Sequence, residues 1–136
     1  MDPIEKRVRD AFAQQPMMQT LGAEVFSAKP GEVVLRAPIL DLARQHTGHG
    51  HAALSFALGD TAAGFAAMSM MPEGDQVVTA EIKINLLAPA DGDYLEARGH
   101  VIKPGRRLFV VGATVTAVKD GTARDVAVLQ GSMMAL

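Results

Sequence analysis

The alternation of apolar and polar positions divides the chain into two unlike halves. In the second half the period is two. From Val78 to Ala88, one face carries Val78, Ala80, Ile82, Ile84, Leu86 and Ala88, and the other carries Thr79, Glu81, Lys83, Asn85 and Leu87. This alternation predicts a strand with one buried face. Further strands are expected over Tyr94–Ile102, Leu108–Val118 and Val126–Met134. Turn-forming runs separate them: Pro89-Ala90-Asp91-Gly92, Lys103-Pro104-Gly105-Arg106 and Lys119-Asp120-Gly121. In the first half, Asp2 followed by Pro3 reads as a helix start, with a helix over about 3–15 that Pro16 ends. Leu21–Ser27 and Val33–Ala37 read as strands joined by the turn Lys29-Pro30-Gly31.

Between these halves lies an apolar run, Ala52–Met71, 20 residues long. Its length would reach across a bilayer. Its chemistry argues otherwise, because Asp60 would sit near the bilayer centre and the flanks carry no cationic anchors. A helix that is apolar all round is equally a buried one. Such a helix lying across a curved antiparallel sheet of about six strands covers both elements. The expectation is therefore one α+β domain over residues 1–136 with a long central helix. Gly59 and Gly64 would let that helix approach its neighbours.

Composition narrows the function. Apolar residues make up 49% and charged residues 21%, with a net charge of −2, so the chain reads as globular. There is no basic block, aromatics are only 4% and Trp is absent, which disfavours a nucleic-acid partner. Cysteine is absent, which excludes disulfides, thiolate metal sites and a cysteine nucleophile. The charged N-terminus has no apolar core of a signal peptide, so the expected setting is cytoplasmic, without membrane insertion.

Asp60 is the only charge in the Ala52–Met71 run. A buried carboxylate needs partners, and it serves either as a local structural bond, for instance to Thr61, or as a base or nucleophile. The helix start offers a second group. Free N–H donors near His51 and Ala52 suit developing negative charge, and Gly48 and Gly50 allow close backbone approach. Asp60 lies eight residues after Ala52, about 12 Å along a helix. Both groups would have to lie about 3 Å from one reacting carbonyl. One chain does not achieve this, but two antiparallel helices across a two-fold axis do, which predicts a homodimer with two shared sites. His46, His49 and His51 form a rival metal cluster, but their loop spacing lacks a helical register, and His46 and His49 read as loop histidines. Arg106 and Arg107 are either a solvated hairpin tip or a phosphate contact. Thr79 and Asn85, on the polar face of their strand, either face solvent or hold substrate.

The run Gln45-His46-Thr47-Gly48-His49-Gly50-His51-Ala52-Ala53, followed by Gly59-Asp60-Thr61-Ala62-Ala63-Gly64, resembles the hotdog-fold thioesterases of the phenylacetate-degradation (PaaI-like) group. Thr79–Ala90 and Lys103–Leu108 resemble that group's following strand and hairpin. The resemblance implies a hotdog fold and hydrolysis of an acyl-coenzyme A thioester. It implies Asp60 as nucleophile or general base, the Ala52 N–H as the donor that polarises the carbonyl, and Gln45, His51 and Thr79 as orienting residues. Gly48, Thr61, Asn85, Arg106 and Arg107 would contact the substrate or its coenzyme A portion. No metal or other cofactor is implied, and the assembly would be a homodimer or a dimer of dimers. Ala52 and Ala53 stand where the group commonly has two glycines, which bears on substrate range. A non-catalytic acyl-CoA binding module and a hotdog enoyl-CoA hydratase or dehydratase are the alternatives, although no His-Phe-Pro type motif is present.

Overall fold

The computed structural model describes residues 1–136. Helix α1 spans Pro3–Phe12. The Asp2 carboxylate caps it, accepting from the N–H groups of Ile4 at 2.8 Å and Glu5 at 3.2 Å. Val8 and Phe12 face the core. The helix does not continue to Gln15, and Pro16 opens a second helix, α2 (Pro16–Thr20), rather than closing the first. The reason is local. Proline suits the first turn of a helix and pushes the residue before it out of the helical region. Gln15 accordingly adopts φ −95° and ψ 103°. The chain is still closing α2 at Leu21, so the first strand begins later than expected.

Strands β1 (Glu24–Lys29) and β2 (Glu32–Ala37) form a hairpin. A short 3-10 turn at Asp41–Ala43 leads into the loop before helix α3 (Ala52–Met68). Then come β3 (Val77–Leu86), β4 (Tyr94–Lys103), β5 (Leu108–Lys119) and β6 (Thr122–Ala135). The six strands form one antiparallel sheet in the order β1-β2-β4-β5-β6-β3. Helix α3 lies against β2, β3, β4, β5 and β6, while α1 packs near β1 at the opposite edge from β3. This is the expected α+β fold, a long helix wrapped by a six-stranded antiparallel sheet.

Helix α3 ends at Met68, earlier than the apolar run suggested. Ser69 stops it: its hydroxyl donates to the Ala66 carbonyl at 2.6 Å and accepts from the Gly31 N–H at 2.8 Å. No helix is long and apolar enough to cross a membrane. Of the 17 residues of α3, 12 are buried, and the exceptions are Ala52, Ala53, Phe56, Asp60 and Thr61. Ala53, Phe56 and Asp60 recur at helical spacing, so they form one uncovered stripe. Gly59 allows the expected close approach, since a Cβ there would meet Leu129 Cδ1 at 2.7 Å. Gly64 has room to spare, with no atom nearer than 3.9 Å. Leu35, Leu58, Leu95, Val111, Val115 and Met133 are fully buried around the helix, each worth about 1.5–3 kcal/mol of transfer energy.

The expected face assignment of β3 holds for only half the strand. The register shifts between Thr79 and Glu81 where β3 pairs with β6. Thr79 pairs with Met133, which is buried against the helix, and Ile82 pairs with Gly131. The extra residue at this bulge, Ala80, reverses the alternation. Thr79 therefore shares the helix-facing side with Ile82 and Ile84, while Val78, opposite exposed Met134, turns to the outer face. Asn85 also lies on the outer face, so Thr79 and Asn85 do not share a side. Gly131 accommodates the bulge, because a Cβ there would lie 2.2 Å from the Glu81 carbonyl oxygen. As an edge strand β3 is mostly exposed rather than half-buried.

Candidate active site

The bulge has a chemical consequence. It brings the Thr79 hydroxyl to α3, where it donates to Asp60 Oδ1 at 2.6 Å. Asp60 is half-buried on the uncovered stripe of the helix. It opens onto a small cavity of about 90 Å³, whose polar lining is Asp60, Thr61, Thr79 and Gln15. The other four lining residues are apolar or glycine. A hydrogen bond from a neutral donor to a carboxylate is among the stronger kinds and fixes the rotamer of the group.

The second cluster sits at the start of α3. His51 is the N-cap, with φ −64° and ψ 145°. Its Nδ1 accepts from the Ala53 N–H at 2.9 Å, and its carbonyl accepts from the Leu54 N–H at 2.9 Å. With Nδ1 accepting, Nε2 is the ring nitrogen left to donate. The two bonds consume the second and third donors of the helix. The Ala52 N–H is left as the free donor at an exposed helix start.

The loop before it is braced from three sides. Gly50 donates its N–H to the Ala90 carbonyl at 2.7 Å, and His51 donates to the Ala43 carbonyl at 2.9 Å. Gly48 has φ +90°, suited to glycine, and donates to the Gln45 carbonyl at 3.0 Å, while the Gln45 N–H donates to His49 at 2.9 Å. Arg44 holds the loop from beneath: one guanidinium nitrogen donates to the Gly48 carbonyl at 2.7 Å and another to the Ile39 carbonyl at 2.8 Å.

The structure thus gathers the expected residues into two groups. Asp60, Thr61 and Thr79 meet at the cavity, and Gln45, Gly48, His51 and Ala52 meet at the helix start. Asn85, on the outer face, belongs to neither. Arg106 and Arg107 are exposed in the β4–β5 turn, at the end of the sheet opposite the Gly50–Ala90 bridge that supports the helix start. No three His, Asp or Glu side chains converge as a metal-ligand set. Sequence reading missed two residues. Arg44 has no motif around it, and only its bonds to two carbonyls reveal it. Gln15 lies far from Asp60 in sequence; the proline after it was the available signal, since it breaks the helix there.

Residues 47–124 match the model of the thioesterase superfamily. A Halobacterium salinarum protein described as a candidate esterase is 31% identical over 124 residues, covering 85% of this chain and 82% of the relative. The solved structure of a thioesterase family protein from Silicibacter pomeroyi superposes with a TM-score of 0.94 at 43% identity, covering 96% of each chain. The E. coli PaaI protein of the phenylacetic acid degradation operon superposes with a TM-score of 0.85 at 22% identity, over 96% of this chain and 91% of that one. At that identity the likeness to PaaI is one of fold, and the fold is the hotdog.

Proposed function

The chain belongs to the thioesterase superfamily, and from that premise we propose that it hydrolyses an acyl-coenzyme A thioester to free acid and coenzyme A at a site shared between two protomers. One observation carries the reading. The only charge on the mostly buried helix α3 is a carboxylate, held by Thr79, at the edge of a cavity. A volume of about 90 Å³ is room for ordered water beside the carboxylate. The Thr79 hydroxyl holding Asp60 Oδ1 and the room for water beside it support Asp60 as a general base for water.

In the proposed reaction Asp60 takes a proton from water, and the water oxygen bonds to the thioester carbonyl carbon. The charge that develops on the carbonyl oxygen is met by the free N–H of Ala52. The carbon–sulfur bond then breaks, and its electron pair leaves on sulfur, which receives the proton from Asp60. Within one protomer, Ala52 and Asp60 are about 12 Å apart along α3. Antiparallel docking of two α3 stripes brings each Asp60 beside the other protomer's helix start. The uncovered stripe Ala53-Phe56-Asp60 and the unpaired edge strand β3, with Leu86 56% exposed, support such a dimer. His51 and Arg44 keep the donor aimed, and Gln45 and Gly48 form the wall of the loop. The exposed Arg106–Arg107 turn is the proposed contact for the phosphates of coenzyme A, which two guanidinium groups suit.

A second contact is supported on the outer sheet face. Val78, Met134 and Leu108 are paired neighbours across β3, β6 and β5 and are 39%, 38% and 45% exposed. A continuous apolar row of this kind suits packing of two dimers back to back.

The test is release of free thiol from a panel of aromatic, short-chain and long-chain acyl-CoAs. Asp60→Asn should remain folded and dimeric and lose the activity at least 100-fold. An Asp60→Asn protein with full turnover would refute the reading. Binding of acyl-CoA by the unmodified protein without thiol release would do the same.

A further inference from the structure

Gln15 stands on the wall of the Asp60 cavity although it lies far from Asp60 in sequence. The junction between α1 and α2 carries it there. Pro16 forces Gln15 out of helical geometry, and its backbone is held at both ends: its N–H donates to the Phe12 carbonyl at 3.0 Å, and its carbonyl accepts from the Gln19 N–H at 3.3 Å. Phe12 in turn packs on Phe65 of α3, with ring centroids 6.2 Å apart. The half-buried residue is therefore mounted on braced backbone at the wall of a cavity whose only charge is Asp60.

Counting donors and acceptors shows what is needed there. A water that gives one proton to Asp60 must find a partner for the proton it keeps, or it does not hold one orientation. On the wall, the Thr79 hydroxyl is engaged with Asp60 Oδ1, and the Thr61 hydroxyl is the other polar group beside Gln15. An amide offers an acceptor and two donors at once, and Gln15 supplies the only amide on the cavity wall.

We propose that Gln15 is a further catalytic residue, whose side-chain amide holds the hydrolytic water against Asp60 of the same protomer. The proposal rests on the general-base reading of Asp60 given above. It assigns the first two helices a part in the reaction, beyond closing the gap beside the central helix.

Two variants test it with the best acyl-CoA of the panel. Gln15→Met keeps the length of the side chain and removes its hydrogen bonds, so kcat should fall about tenfold with KM within about twofold. Gln15→Glu sets a second carboxylate across a cavity with no other titratable group. Like charges oppose each other's ionisation, so the acid limb of the kcat–pH profile should move to higher pH. Undiminished kcat in Gln15→Met, a change confined to KM, or an unmoved acid limb in Gln15→Glu would each overturn the proposal. If Gln15→Met proves unfolded by thermal melting, the pH profile of Gln15→Glu decides alone. Asp60→Asn run in parallel separates the two levels. An inactive Asp60→Asn beside a fully active Gln15→Met removes only the role of Gln15, whereas an active Asp60→Asn removes the reading beneath it.

Discussion

Replacing Ala52 by proline isolates the proposed oxyanion donor with little collateral damage. Ala52 is the first residue of α3, and its N–H has no partner in the helix. Proline is favoured at that position because the N–H it lacks is already spare. The preceding residue, His51, has φ −64° and ψ 145°, which a following proline tolerates. Stability should therefore change by only about 0.5 kcal/mol, as at other permissive surface positions. Loss of one oxyanion donor typically lowers kcat by about 100- to 1,000-fold, or about 2.7–4 kcal/mol. The variant should be folded, dimeric and nearly inactive. A mixing experiment then asks who shares a site with whom. If Ala52 of one protomer works with Asp60 of the other, a heterodimer of Ala52→Pro and Asp60→Asn chains contains one site with both defects and one intact site. Random reassembly after denaturation makes about half of the dimers mixed, so about a quarter of unmutated activity should return. Sites contained within single chains would return none. Full activity of Ala52→Pro itself would refute the donor assignment, and absence of recovery on mixing would refute the shared site.

Two further outcomes follow from named contacts. Thr79→Val removes the 2.6 Å bond to Asp60. A hydrogen bond to a charged group is worth about 1.5–3 kcal/mol, so kcat should fall about 10- to 100-fold with KM nearly constant. Thr79→Ser should retain most activity, and an unaffected Thr79→Val would dissociate the hydroxyl from the reaction. Leu108→Lys places a charge in the apolar row Val78-Met134-Leu108. Light scattering should then show a tetramer reduced to active dimers, and an unchanged tetramer would show that the outer row is not the second interface.

The elements most legible in the sequence were those whose cause is local. Alternation over β4 to β6, turn residues between them and an unbroken apolar helix each follow from a few adjacent positions, and together they imply a helix covered by a sheet. The motif register around Gln45, Gly48, His51 and Asp60 was legible for the same reason. Reading failed where a contact between distant segments overrode the local pattern. Strict alternation placed Thr79 on the solvent side, but the bulge depends on the partner strand, which offers Gly131 in place of a side chain. The helix predicted to reach Gln15 stops at Phe12, and that break turns Gln15 toward Asp60, a residue no pattern near it predicts. Both departures converge on the same carboxylate. The bulge and the helix break each weaken a regular element, at Ala80 and at Ala13–Gln15, and each delivers a polar side chain to the one charge in the buried helix. Local irregularity beside a held carboxylate is what a site organising water requires, because uninterrupted strand and helix would leave Thr79 facing solvent and Gln15 within a regular turn.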